Sequence, residues 1–179
     1  TRLARMASTF VAFLVDYRLR HALIGNLGDS RCYVFRKERV VAQSYDHSLV
    51  QRFIDAGLYP AEKLRVHPKR NVLYASLGAN EEAIDPYVTE SAIDLSPGDG
   101  ILLCSDGVWE LVDEETLGRL HAMSDSAAQW RDHLVAAVRG RMAPGHDNFS
   151  ALLIRCIASQ ATAAADDDKT MPPMSLQPA

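Results

Sequence analysis

A succession of short apolar runs, each closed by turn residues, restricts the possible folds more than any other feature. Residues 10–15, 20–26, 32–35 and 40–43 follow one another within the first 43 positions. Runs of four to seven residues have the length of strands, whereas helices in globular domains need about 10–12. The spacing therefore predicts successive strands, with Arg36-Lys37-Glu38-Arg39 as the polar tip of a hairpin. Residues 87–95 alternate weakly and predict a further strand. Ser96-Pro97-Gly98-Asp99-Gly100 is a strong turn, and residues 101–104 form the unbroken apolar run expected of a strand buried on both faces. Residues 149–157 predict the last strand.

Helical signals enter at three places. Ser48 is followed three residues later by Gln51, a capping-box spacing; Leu49, Val50, Phe53 and Ile54 then make one face, and Gly57 ends it. Asp113 can cap a helix carrying Glu114 and Glu115 in its first turn, where the dipole favours negative charge. Ser126 and Gln129 repeat the capping spacing ahead of Ala127, Trp130, Leu134 and Val138, with Gly140 as the stop. Residues 58–70 are irregular and charged, and residues 72–77 resume apolar character before Gly78. Residues 47–80 thus interrupt a strand-rich chain. From Ala158 onward the composition collapses to Ala, Asp, Thr, Pro and Gln, which predicts a disordered tail over residues 159–179 behind one domain, 1–158.

Of the 179 residues, 47% are hydrophobic and 23% charged, enough for a sizeable core. The net charge of -4, with no basic block, speaks against nucleic acid or an anionic membrane as partner. No apolar run approaches the roughly 18–20 residues that span a bilayer. Cys32, Cys104 and Cys156 are an odd, scattered set in or beside apolar runs. They predict buried free thiols and a reducing cytoplasm rather than a disulfide framework. Without a CxxC pair or HxxxH spacing, zinc is a poor fit.

Three aspartates share one setting. Asp29 lies in Gly28-Asp29-Ser30-Arg31 after an apolar run, Asp106 in Ser105-Asp106-Gly107 after another, and Asp147 in Gly145-His146-Asp147-Asn148 before the last. Asp beside Gly is ordinary turn chemistry. Three carboxylates at strand ends can also meet at one edge of a sheet, where they repel unless a cation neutralises them. Hard oxygen ligands select Mg²⁺ or Mn²⁺, and two such ions can lower the pKa of a water and aim it at phosphorus. Ser105 lacks the G-x-S-x-G elbow of a serine hydrolase, and residues 26–29 lack the Gly-Lys-Ser/Thr of a P-loop. Trp109 is expected as an aromatic of the core or of the flap edge rather than as a ligand stacker.

Taken in order, Asn26-Leu27-Gly28-Asp29-Ser30-Arg31, Asp46-His47-Ser48, Leu102-Leu103-Cys104-Ser105-Asp106-Gly107 and Asp147-Asn148-Phe149-Ser150 resemble the motifs of the protein phosphatase 2C-like (PPM-type) family. His67-Pro68, Arg70-Asn71-Val72-Leu73 and Leu77-Gly78 resemble its bacterial branch, and the resemblance covers residues 6–157. It implies an α+β fold: a two-sheet antiparallel β-sandwich flanked by helices, four layers αββα, with a flap insert at about 47–80. It implies Asp106 and Asp147 as ligands of a centre of two Mn²⁺ or Mg²⁺ ions, and Asp29 as ligand, with Asp106, of a third, weaker ion. It makes Arg65, His67, Lys69 and Arg70 of the flap candidates for phosphopeptide contact. Two upstream motifs of the family, one carrying an Asp and one Asp-Gly-x-Gly-Gly-like, do not occur here. Residues 6–9 resemble the segment just after them, with Ala7 where Gly is usual. The domain is therefore expected to be incomplete at its N-terminus, and the chain alone to be poorly stable or oligomeric through unpaired strand edges.

The implied activity is hydrolysis of phosphoserine and phosphothreonine in proteins by direct attack of a metal-activated water, with no phosphoenzyme. A partner Ser/Thr kinase and a cytoplasmic location go with it. The alternative is a non-catalytic phosphatase-like module that regulates a kinase or phosphoprotein. The related branch acting on anti-sigma antagonists generally lacks the flap, so residues 47–80 argue against it.

Overall fold

The computed structural model describes residues 6–78 and 85–158. The chain runs β1 (Phe10–Asp16), β2 (His21–Leu27), β3 (Arg31–Arg36), β4 (Arg39–Gln43), α1 (Leu49–Asp55), α2 (Lys63–Val66), β5 (Tyr87–Val88) and β6 (Ile93–Asp94). It continues through β7 (Gly100–Cys104), α3 (Asp106–Trp109), α4 (Glu114–Ala122), α5 (Ala127–Arg139) and β8 (Ala151–Arg155). The strands form two antiparallel sheets. In one, β2 pairs along its whole length with β1 and, on its other side, with β5 and β6. The other has the order β4-β3-β7-β8.

The period of two along β3 and β7 builds both layers of core. Cys32, Val34 and Ile101 meet Ala22 and Ile24 between the sheets. Tyr33, Phe35, Leu102 and Cys104 point the other way, onto Trp109, Leu117, Trp130 and Leu134. Both strands are therefore apolar at nearly every position, as a strand covered on both faces must be. Cys32 and Cys104 are buried free thiols and Cys156 is a half-buried one.

Helix starts follow the capping residues. Ser48 Oγ accepts from Gln51 N at 3.1 Å, Asp113 Oδ1 from Thr116 N at 2.7 Å, and Ser126 Oγ from Gln129 N at 3.1 Å. Each satisfies an N–H that the first turn leaves without a partner. α4 packs hard against the β3–β4 hairpin: a Cβ on Gly118 would stand 1.9 Å from the Glu38 carbonyl oxygen. Only a residue without a side chain permits that approach.

Three sequence expectations change. The strand expected over residues 87–95 is two short strands, because the Thr89 hydroxyl accepts from Ile24 N at 3.1 Å where a backbone carbonyl would continue the ladder. The last strand is shorter than residues 149–157. α2 and α3 are single turns of four residues, too short for a periodic signal.

The two sheets with flanking helices agree with the expected sandwich. Among the described residues, the helices lying against a sheet, α3 to α5, are all on the second one. The far face of the first sheet carries exposed apolar side chains, Phe10 at 51% and Leu14 at 69%. The insert after β4 is pinned at its base by bridges from Ser48 to Leu73 and from Ser8 to Leu77. The expected tail, residues 159–179, lies outside the described residues, as do positions 79–84 of the flap and its surroundings. No helix among the described residues is long and apolar enough to cross a membrane.

Candidate metal centre

Strand register brings the three aspartates to one edge. Arg31 of β3 lies opposite Cys104 of β7, and Cys104 lies opposite Ala151 of β8. Asp29 precedes the first, Asp106 follows the second and Asp147 precedes the third, so all three leave the same end of the second sheet.

The loops bearing Asp106 and Asp147 are stitched together. Ser105 N donates to the Ser150 carbonyl and Ser150 N to Ser105 Oγ, each at 3.0 Å. Gly107 has the Asn148 carbonyl so close that a Cβ would stand 2.5 Å from its oxygen. Ser105 and Gly107 thus serve the approach of two acidic loops. Asp106 Oδ1 accepts from Gly107 N, and Asp147 Oδ1 from Asn148 N, both at 2.8 Å.

Asp29 is held from behind. Trp109 Nε1 donates to the Asp29 carbonyl at 2.9 Å, and Gly28, at φ +109°, lies against Thr9. Burial raises the Asp29 carboxyl to about 6, and the negative charges of Asp106 and Asp46 add to the shift. Burial also raises Asp106; the Gly107 N–H opposes the rise, Glu110 and Asp147 reinforce it, and Arg70 opposes it. Negative charge from Asp106 thus disfavours ionisation of Asp29, and negative charge from Asp147 disfavours that of Asp106, which is the condition that a bound cation relieves.

Behind the edge lies a buried ionic network. Arg31 forks onto Asp46, Nε to Oδ1 at 2.9 Å and Nη2 to Oδ2 at 2.7 Å. Its Nη1 donates to Tyr33 Oη at 2.8 Å and to Glu114 Oε1 at 3.1 Å. The guanidinium lies over the Trp109 ring at 3.7 Å. Trp109 is in the core as expected, and it also joins this network to Asp29.

The flap residues part company. Arg70 forks onto Glu110, Nε to Oε1 at 2.5 Å and Nη2 to Oε2 at 3.0 Å, and its charge acts on the Asp106 carboxyl. Arg65 Nη2 donates to Glu114 Oε2 at 2.6 Å. His67 packs on Tyr59, with ring centroids 5.3 Å apart, and its Nδ1 accepts from Lys69 N at 3.1 Å. Glu110 was not singled out from sequence, and Glu114 and Arg31 were read only as a first-turn acid and as a motif member, without a role in the site. Their signal was the spacing: Glu110 stands one helical turn after Asp106, and Arg31 two residues after Asp29.

The donor set is all oxygen, which fits Mg²⁺ or Mn²⁺; Mg²⁺ keeps several waters and takes one or two carboxylates. Among the described residues no three His, Cys, Asp or Glu side chains stand close enough to hold one ion together. The described carboxylates fit part of a hard-cation shell, the remainder falling to water and further oxygen donors.

No family model matches the chain. It is 28% identical over 150 residues to the serine/threonine phosphatase stp of Listeria innocua, covering 83% of this chain and 56% of that protein. The chain thus spans about half the length of the curated relatives it matches. Among solved structures it is similar to PppA, a key regulatory component of the T6SS in Pseudomonas aeruginosa. The TM-score is 0.68 and the identity 34%, over 84% of this chain and 58% of that one. It is also similar to the Mycobacterium tuberculosis serine/threonine phosphatase PstP/Ppp, with a TM-score of 0.72 and 27% identity, over 87% and 62% of the two chains. The catalytic domain of PstP is solved with two manganese ions.

Proposed function

From a chain related in both sequence and fold to the bacterial PPM-type serine/threonine phosphatases, we propose that the whole protein hydrolyses phosphoserine and phosphothreonine in proteins, with Mn²⁺ or Mg²⁺ as cofactor. The observation that carries this reading is the convergence of Asp29, Asp106 and Asp147 at one sheet edge, where burial and neighbouring carboxylates raise Asp29 and Asp106. Asp106 and Asp147 would hold the principal ions, and Asp29 with Asp106 a further one. When bound, such ions supply a water of lowered pKa and neutralise phosphoryl oxygens.

The chain's own groups do the rest. The Ser105–Ser150 stitch and the Gly107 contact fix the two acidic loops against each other, so the carboxylates need not reorganise. Arg70, whose charge acts on the Asp106 carboxyl, is placed in this reading at the phosphoryl oxygens; Arg65 and His67 are assigned to the flanking peptide. Phosphorylated proteins are the substrates, a Ser/Thr kinase is the opposing enzyme, and the three free cysteines support a cytoplasmic site of action.

A second reading, a phosphatase-like module that binds a kinase or phosphoprotein without turnover, draws on the lack of a three-ligand set among the described residues. Hydrolysis of a phosphothreonine peptide with Mn²⁺ separates the two. The proposal expects turnover that falls more than about 100-fold in Asp106→Asn, since even residues supporting a metal ligand are worth about 10–100-fold. Binding of the peptide without Mn²⁺-dependent turnover, including after an upstream segment from a relative is joined to the chain, would favour the second reading.

A further inference from the structure

We propose that Glu110 is a specificity-determining residue: it occupies the guanidinium of Arg70 in the resting site and yields it only to a dianionic phosphoryl group. This rests on the phosphatase reading of the same site and adds a residue to it.

The geometry is that of a competitor. A carboxylate offers two coplanar oxygens at the spacing of two phosphate oxygens, and a guanidinium takes either in the same fork. Glu110 occupies that fork at 2.5 and 3.0 Å. It is tied to the metal edge, since Glu110 N donates to the Asp106 carbonyl at 2.9 Å. The acid is the enclosed partner and the arginine the open one, with side chains 8% and 31% exposed.

The two flap pairs differ in what departure of the arginine leaves behind. Glu114 keeps Arg31 and Tyr33 when Arg65 moves away, since both donate to its Oε1. Among the described residues Glu110 accepts side-chain hydrogen bonds from Arg70 alone. Taking Arg70 from Glu110 strands an enclosed carboxylate one turn from Asp106. A ligand must carry enough charge to offset that loss, so the pair discriminates a dianionic phosphate ester from a carboxylate or a singly charged ester. It also lowers apparent affinity by the fraction of time that Arg70 is occupied.

The test uses the full chain with Mn²⁺ and a peptide bearing a non-hydrolysable phosphonate analogue of phosphothreonine, beside its unmodified twin. Glu110→Gln should bind the phosphonate peptide about 5-fold tighter or better and the twin no differently. In steady state with the phosphothreonine peptide its KM should fall while kcat does not rise. In an Arg70→Ala background the same substitution should gain nothing, and Arg70→Lys should keep only part of the gain, because an ammonium cannot fork. Equal tightening with and without Arg70 overturns the proposal, because plain removal of a negative charge then explains it. Unchanged affinity in Glu110→Gln, with wild type still preferring the phosphonate peptide, also overturns it and leaves the phosphatase reading standing. Failure of wild type to prefer the phosphonate peptide overturns both. Should Glu110→Gln melt early, Glu110→Asp, which shortens the reach, carries the same expectations.

Discussion

Asp29, Asp106 and Asp147 were legible in the sequence because each stands beside turn residues at the end of an apolar run. Their partners were not, because the contacts that position them from afar, Trp109 to the Asp29 carbonyl and Ser150 to Ser105, span 80 and 45 residues of chain. Trp109 shows the difference. Its apolar character forecast burial, and nothing local forecast that its N–H would hold the Asp29 carbonyl 80 positions away. Trp109→Phe keeps a ring against Arg31 and deletes that hydrogen bond. It should lower stability to urea by roughly 1–3 kcal/mol, the cost of a buried acceptor left unmade. It should also weaken Mn²⁺ binding in calorimetry about 10-fold, as loss of a supporting residue does. Gly118→Ala is the sharper test of packing: with the Glu38 carbonyl at 1.9 Å from the new Cβ, helix and hairpin must separate. The expected loss is about 1–3 kcal/mol or more in chemical denaturation.

At the scale of elements, the sequence was most informative where a side chain acts on its own neighbours. The caps at Ser48, Asp113 and Ser126 all close onto the residue three ahead; spacing revealed the two serines, and the acidic first turn of Glu114 and Glu115 revealed Asp113. It was least informative where a distant strand decides, as at Thr89, whose hydroxyl divides one expected strand into two. α4 also carries a pH response. His121 is buried at its last turn, where its Nδ1 lies 2.7 Å from the Lys37 carbonyl. Burial lowers its pKa below 6.5, against the pull of the Lys37 carbonyl. The unfolded chain therefore takes up the proton first. Stability from this group is complete above about 6.5 and declines as pH falls through that value, levelling off below the lower folded one. Melting temperature measured from pH 8 to 5 should show this decline in wild type, and His121→Gln should reduce it.

For the whole molecule, short apolar runs forecast the strands and capping residues the helices, while their arrangement as two sheets with flanking helices came from the resemblance of the ordered motifs; which faces find cover depends on the sum of all elements. The far face of the first sheet exposes Phe10 and Leu14 on one side of β1, where i and i+4 point the same way. Such a face in water favours association. The chain should sediment as more than a monomer at micromolar concentration. Phe10→Ser with Leu14→Ser should shift it toward monomer while changing stability by less than about 1 kcal/mol, as exposed positions do. A monomeric wild type would refute this. The two tryptophans stand at opposite ends of β7: Trp109 under Arg31 beside the acidic edge, Trp130 near Gly100, with its ring centroid 4.9 Å from that of His121. The molecule consequently carries its own pair of optical probes. With Trp130 replaced by Phe, the remaining emission should respond to the arginines over Trp109; with Trp109 replaced instead, quenching should follow protonation of the imidazole beside Trp130, so that the two variants together separate occupancy of the edge from titration of the core.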